Sequence, residues 1–231
     1  RRTPSNFVVS SSTFDSSPQI GSIGRAIEHG VAACASPWVP VIVGAPRLRR
    51  YQAFGHLFAA AADGAVHRLD RHPTMARHPV TPMHESDLRR HLSQQTARRL
   101  ELIDLVTLHG GRAAAALAAH AAQGDSPVAL IDVLDEATLQ AAGELVWQQR
   151  GRGLFSASSS GLAYALTAHW QRLGWLPETS AQPHGEPVPV VAAVSGSCSP
   201  VTAQQLRWAR AQGFATVRLS VADALDGAKP G

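Results

Sequence analysis

Three short stretches concentrate hydroxyl and carboxylate side chains beside glycine or proline, where a chain turns. The first, residues 10–18, reads Ser-Ser-Ser-Thr-Phe-Asp-Ser-Ser-Pro and sets Asp15 among Thr13 and Ser16 just ahead of an apolar, helix-like pattern. An ionised Asp15 accepts from two sugar hydroxyls, while the hydroxyls and the N–H groups of a helix start donate to a carboxylate. The plainer role of the same residues is to cap the helix. The second stretch, residues 156–161, holds Ser159 and Ser160 before Gly161, small residues that let a ligand approach the backbone. The third, residues 195–202, carries Ser195, Gly196, Ser197 and Ser199 before Pro200. Its backbone N–H groups could cradle a phosphate. It lacks the G-x-x-x-x-G-K-[ST] spacing of a Walker-type loop, and no histidine or lysine stands near Cys198 to activate it as a nucleophile.

The densest polar segment is residues 67–85, with His67, His72, His78 and His84, Arg68 and Arg71 around Asp70, and Pro73, Pro79 and Pro82. The prolines argue for an extended, irregular strap, and long irregular segments in compact domains tend to be functional. Asp70 between two arginines is placed to anchor the strap internally. The histidine spacings of five, six and six match no common zinc pattern, so no metal is expected. Thr81 to Glu85 resembles a helix start leading into residues 87–92, although Glu85 falls one position late for a capping box.

Elements of an alternating kind must hold these loops. Residues 18–30 predict a helix with Ile20, Ile23 and Ile27 on one face, and residues 39–43 a buried strand stopped by Gly44-Ala45-Pro46. Residues 102–108, 128–133 and 154–157 predict strands; residues 112–123, 137–149 and 162–173 predict helices between or after them. Short connections in a β-α alternation argue for an α/β fold with a doubly wound, mostly parallel sheet. Ligands bind such sheets at the carboxyl ends of the strands, where the serine-bearing turns fall. Prolines at 177, 183, 187 and 189 read as a linker. Beyond them a strand at 190–194, a helix at 201–212 and a strand at 216–219 read as the start of a second α/β domain.

With 45% hydrophobic and 16% charged residues in 231, the chain has the balance of a globular protein, not a disordered one. Of its 21 basic residues only Lys229 is a lysine. Arginine suits bidentate capture of carboxylate and phosphate, but arginines not gathered in one run give no nucleic-acid signature. Two distant cysteines, Cys34 and Cys198, signal neither a disulfide framework nor a zinc site. No apolar run approaches the roughly 20 residues that span a bilayer.

The segments at residues 12–28, 43–59, 68–96 (RLDRHPTM...HPVTPM), 158–170 and 194–209 together resemble the four-carbon acid sugar kinase family, in that family's order. The resemblance implies a two-domain α/β kinase, a sugar acid such as threonate or erythronate bound by the first domain, and ATP with Mg2+ bound by the second. It implies domains at 1–182 (sugar acid, incomplete at its N-terminus) and 190–231 (the beginning of the nucleotide domain), with a linker at 183–189. Thr13, Asp15, Ser16, Ser159, Ser160 and Gly161 would line the substrate pocket. Arg68, Arg71 and His72 would face it from the strap, with Thr81, Pro82 and Met83 shaping the wall. Ser195, Gly196, Ser197 and Ser199 would open the nucleotide site. Expected partners are a small sugar acid and ATP, without nucleic acid or membrane; a homodimer is compatible, and a cytoplasmic location is expected.

The family's Asp-Asp-Phe-Thr-Gly and Gly-Gly-Asp-Thr-Ser loops do not occur in these 231 residues. The catalytic groups are therefore expected outside them, and the chain alone is expected to be inactive. Two other readings fit the serine turns: a sugar-acid binding module without catalysis, and a phosphosugar-binding or isomerase-like α/β protein.

Overall fold

The structure, a computed structural model, describes residues 19–20, 23–78, 81–177, 186, 188–196, 199–218, 220 and 222. The chain divides into two compact units, Arg1–Gln182 and Pro183–Gly231. The loop with Thr13, Asp15 and Ser16 lies outside the described residues, as do Ser197, Cys198 and Lys229.

A parallel sheet forms the centre of the first unit. Strands β1 (Val39–Val41), β5 (Leu100–Ile103) and β6 (Val128–Ile131) lie in the order β1-β6-β5, both pairings parallel. Successive strand residues point to opposite faces, and both faces are covered. Val39, Val41, Val128 and Leu130 pack with Ile23, Ile27 and Val31 of helix α1 (Ile23–Cys34). On the other side Ile103, Ala129 and Ile131 pack with helices α3 (Leu105–His109), α4 (Ala113–Ala121), α5 (Glu136–Gln148) and α6 (Ser160–Arg172). A strand buried on both faces must be apolar throughout, as β6 is. Helices α5 and α6 touch closely because Gly143 has no side chain; a Cβ there would fall 2.0 Å from the Ala165 carbonyl oxygen.

Several boundaries differ from the sequence expectation. Helix α1 begins at Ile23 and runs to Cys34, since its buried face continues to Val31, whereas Ile20 is exposed. The strand expected at 102–108 stops at Ile103, because Asp104 turns the chain: its carboxylate accepts from the Thr107 N–H at 2.7 Å and caps α3. The helix start expected at Thr81 falls at Asp87, whose Oδ1 accepts from the Arg89 N–H at 2.9 Å and opens α2 (Leu88–Ser93). Residues 154–157 run parallel to β1 without forming a full ladder. Ala157 and Ser159 N–H groups donate to Pro40 and Ile42 carbonyls, but the Ile42 N–H donates to the Ser158 hydroxyl.

A second, antiparallel sheet was not anticipated. Strands β2 (Arg50–Ala53), β3 (His56–Ala60) and β4 (Val66–Arg68) form a meander. Phe54 and Gly55, with φ of 52° and 80°, make the two-residue turn that matches strand twist. The strap is less irregular than its prolines imply: it starts in β4 and contains 3-10 turns at Leu69–Arg71 and Met75–Arg77.

In the second unit, helix α7 (Pro200–Ala211) forms where the sequence predicts it, with Ser199 as N-cap. The strands expected at 190–194 and 216–219 do not: among the described residues the segments are unpaired, with Val194 97% and Val217 86% exposed. A buried strand needs partners on its edges and cover on its faces, and the described residues of this unit include no other strand.

Candidate functional site

At the carboxyl end of β1 the serine turn is built from buried hydroxyls. Ser156 donates to the Pro40 carbonyl at 2.9 Å and lies 2.6 Å from the Ser158 hydroxyl, which accepts from the Ile42 N–H. Ser159 donates to the Val43 carbonyl at 3.1 Å and accepts from the Gly161 N–H at 3.2 Å, capping α6. Gly161 is required by contact, since a Cβ would fall 2.2 Å from the Gly44 carbonyl oxygen. Ser159 and Gly161 thus lock the α6 N-terminus onto the end of β1. Ser160 is partly exposed, and its hydroxyl has no partner among the described residues.

The same end of the sheet carries groups that the sequence reading did not assign. Asp132 follows β6 and is fully buried. Its carboxylate accepts from the Phe54 N–H at 2.5 Å, the Gly55 N–H at 3.0 Å and the Gln52 amide at 3.4 Å. Burial raises its pKa above the usual carboxylate range, against these bonds. It ties the β2–β3 turn to the central strand. A signal existed in the sequence, an aspartate closing the most apolar strand, but its partners lie 77 and 78 residues away.

Arg47, in the 3-10 turn Pro46–Leu48 after β1, donates from Nε and Nη2 to Glu136 at 3.0 and 3.3 Å. Its guanidinium lies 5.8 Å from the Tyr164 ring centre. The hydrogen bond to Glu136 raises the arginine's pKa further.

The strap is held by its own side chains. Arg68 grips Asp70 through Nε and Nη2 at 2.7 and 2.5 Å. This is the internal anchor expected of Asp70, and the hydrogen bond from Arg68 holds its carboxyl below the usual range. Buried His72 accepts at Nδ1 from the Thr74 and Met75 N–H groups, both at 3.2 Å, so its proton sits on Nε2 and reaches the Ala60 carbonyl at 3.3 Å. Arg71 is exposed and makes no hydrogen bond or ion pair among the described residues, its charge acting only on neighbouring Asp70. Met83 is buried in the core beside Leu69 and Leu88, while Thr81 and Pro82 stay partly exposed. No hydrogen bond or ion pair among the described residues joins Arg68, Arg71 or His72 to Ser159, Ser160 or Gly161. In the second unit, Ser199 accepts from the Thr202 N–H at 3.1 Å, while Ser195 and Gly196 are exposed. No group of three or more histidine, cysteine or acidic side chains placed to hold a metal ion occurs among the described residues.

The fold and these turns define an α/β domain whose parallel sheet presents serine, arginine and carboxylate groups at its carboxyl end. Residues 2–166 match the family described as a sugar-binding N-terminal domain, and the chain belongs to that family, within the four-carbon acid sugar kinases. It is 63% identical over 215 residues to a 3-oxo-isoapionate kinase of Paraburkholderia graminis, a match covering 93% of this chain and 45% of the relative. It is 31% identical over 201 residues to a 3-oxo-tetronate kinase of Salmonella typhimurium, covering 86% and 44%. A solved structure from Salmonella typhimurium LT2 superposes with a TM-score of 0.68 at 29% identity, covering 95% of this chain and 49% of that one. Another, from Haemophilus influenzae, gives 0.66 at 25% identity, covering 94% and 49%. The chain spans about 45% of the length of the curated relatives it matches.

Proposed function

We propose that this chain supplies the sugar-acid-binding part of an ATP-dependent kinase that phosphorylates a small 3-oxo sugar acid. The observation that carries the reading is the 63% identity to a 3-oxo-isoapionate kinase across 93% of the chain. The geometry supports it: a hydroxyl-bearing turn fixed at the carboxyl end of a parallel sheet is where an open α/β fold receives a ligand. In this reading Thr13, Asp15, Ser16 and Ser160 offer hydrogen bonds to the substrate, and Ser159 and Gly161 set the turn. Arg71 offers a guanidinium, and His72 and Arg68 shape the strap that carries it.

ATP with Mg2+ is the phosphoryl donor that a kinase of this kind uses, and residues 190–231 belong to the half that receives it. Within them the described part of the 195–199 loop is a capped helix start. A Cβ at Gly196 would meet nothing within 4 Å. Because the chain spans about 45% of the length of the 3-oxo-isoapionate kinase, it is expected to bind the acid without turning ATP over.

Two measurements test this. A thermal-shift screen of three- to six-carbon sugar acids should find one that stabilises the chain, by about 2.7 kcal/mol at 100 times its dissociation constant. A coupled ADP-release assay on the same chain should show no turnover; clear turnover would place a complete phosphoryl-transfer site within these residues. Stabilisation by sugar phosphates alone would favour an isomerase-like protein instead.

A further inference from the structure

We propose that Arg47, paired with Glu136, recognises the carboxylate end of the sugar acid and so determines specificity for an acid over a neutral sugar. This rests on the sugar-acid reading above and sharpens it.

Three arginines compete for that role, and their surroundings differ. Arg68 is paired through Nε and Nη2 with Asp70, two residues away on the strap, and no described contact ties it to the serine turn. Arg71 is exposed on the strap, and no described contact ties it to the serine turn. Arg47 is fixed relative to that turn. It leaves the chain three residues after Gly44, whose carbonyl oxygen would lie 2.2 Å from a Cβ on Gly161. Its guanidinium bonds to the first residue of α5, Glu136, and lies 5.8 Å from the ring of Tyr164, one turn into α6. Three elements that end or begin at the carboxyl edge of the sheet therefore position one charged plane.

The chemistry of the group is also apt. Arginine has five N–H donors, and the two bonds to Glu136 leave three, including both on Nη1. Arg47 and Glu136 are 50% and 56% exposed, so the cation is accessible. A hydroxylated carboxylate needs a cationic donor for its anionic end and acceptors for its hydroxyls. Arg47 supplies the first, the Glu136 carboxylate the second, and the unpartnered Ser160 hydroxyl can do either.

The test is isothermal titration of the 231-residue chain and its variants with D-threonate, with D-erythronate and with the neutral polyol threitol. Arg47→Ala should weaken binding of the preferred acid at least ~10-fold, the scale of one charge-assisted hydrogen bond, and leave threitol binding unchanged. Arg47→Lys should recover part of the loss, because an ammonium keeps the charge but not the bidentate fork. Arg172→Ala, which removes a comparable exposed ion pair to Glu144, should bind the acid as the parent chain does. Melting temperatures should not differ between the parent and Arg47→Ala, since the ion pair is exposed; a changed melting temperature shifts the decision to Arg47→Lys. If the parent binds an acid and both Arg47 variants bind it equally well, Arg47 is not the carboxylate receptor and the sugar-acid reading survives. If the parent binds neither acid nor any other in the screen, the reading itself fails and this proposal fails with it.

Discussion

The serine turn at 156–161 and the strap at 67–85 look alike as lists of polar residues, yet the molecule uses them oppositely. In the turn, the hydroxyls of Ser156, Ser158 and Ser159 bond to backbone 116 to 118 residues away, at Pro40, Ile42 and Val43. In the strap, Arg68 bonds to Asp70 and His72 bonds to residues 2 to 12 positions distant. Long-range bonds make the turn part of the central sheet, so disturbing it should lower global stability. Short-range bonds make the strap a self-contained piece, so disturbing it should open that piece locally. The hydroxyls of Ser156, Ser158 and Ser159 and the Arg68, Asp70 and His72 side chains are already satisfied, whereas Ser160 and Arg71 make no side-chain hydrogen bond among the described residues.

The largest effect is expected at Asp132, which joins the hairpin leading into the strap to the sheet that carries the turn. Asp132→Ala would leave the buried Gly55 N–H and the half-buried Phe54 N–H without an acceptor and should cost about 3 kcal/mol in urea unfolding. Asp132→Asn, which keeps an accepting oxygen, should cost less. Equal losses would show that volume rather than hydrogen bonding holds the hairpin.

Next in size is Gly161→Ala, which forces a methyl against the Gly44 carbonyl oxygen and should cost about 2 kcal/mol, lost globally. His72→Ala removes the acceptor of two backbone N–H groups and should cost about 1–2 kcal/mol. Its signature should be hydrogen exchange accelerated at Thr74 and Met75 while β6 stays protected. Uniform acceleration would mean the strap and the sheet open together. Ser159→Ala removes a helix cap, for about 1 kcal/mol. Ser160→Ala should stay within ~0.5 kcal/mol while weakening any acid ligand.

pH separates the regions with opposite signs. Asp70 is held below its ordinary pKa by Arg68, so its contribution is present above the unfolded value, near 3.9, and is lost as pH falls through the folded value. Asp132 is raised by burial, so its contribution is fully present below the unfolded value and declines as pH rises through the folded one. Strap-specific protection, relative to the intrinsic exchange rate, should therefore fall in acid, and Asp70→Asn should remove that acid response; an unchanged response would assign it to other carboxylates.

Apolar runs and their punctuation were sufficient to read the parallel sheet, helices α4 to α7 and the serine turn before α6, because local pattern dictates which segments must be buried and where chains turn. The same rules misplaced residues 190–194 and 216–219: β-branched runs become strands only when other strands accept their N–H and C=O groups. They missed the β2–β4 meander, whose alternating faces are short and whose Phe54 adopts a left-handed conformation that sequence does not announce. The residue types able to bind a hydroxylated acid were written in the chain. Which of their donors and acceptors remained available was decided by contacts such as Ser159 to Val43, Asp132 to Gly55 and Arg47 to Glu136. Hydrogen-bond saturation is a property of neighbours in space, and these neighbours are tens to more than a hundred residues apart.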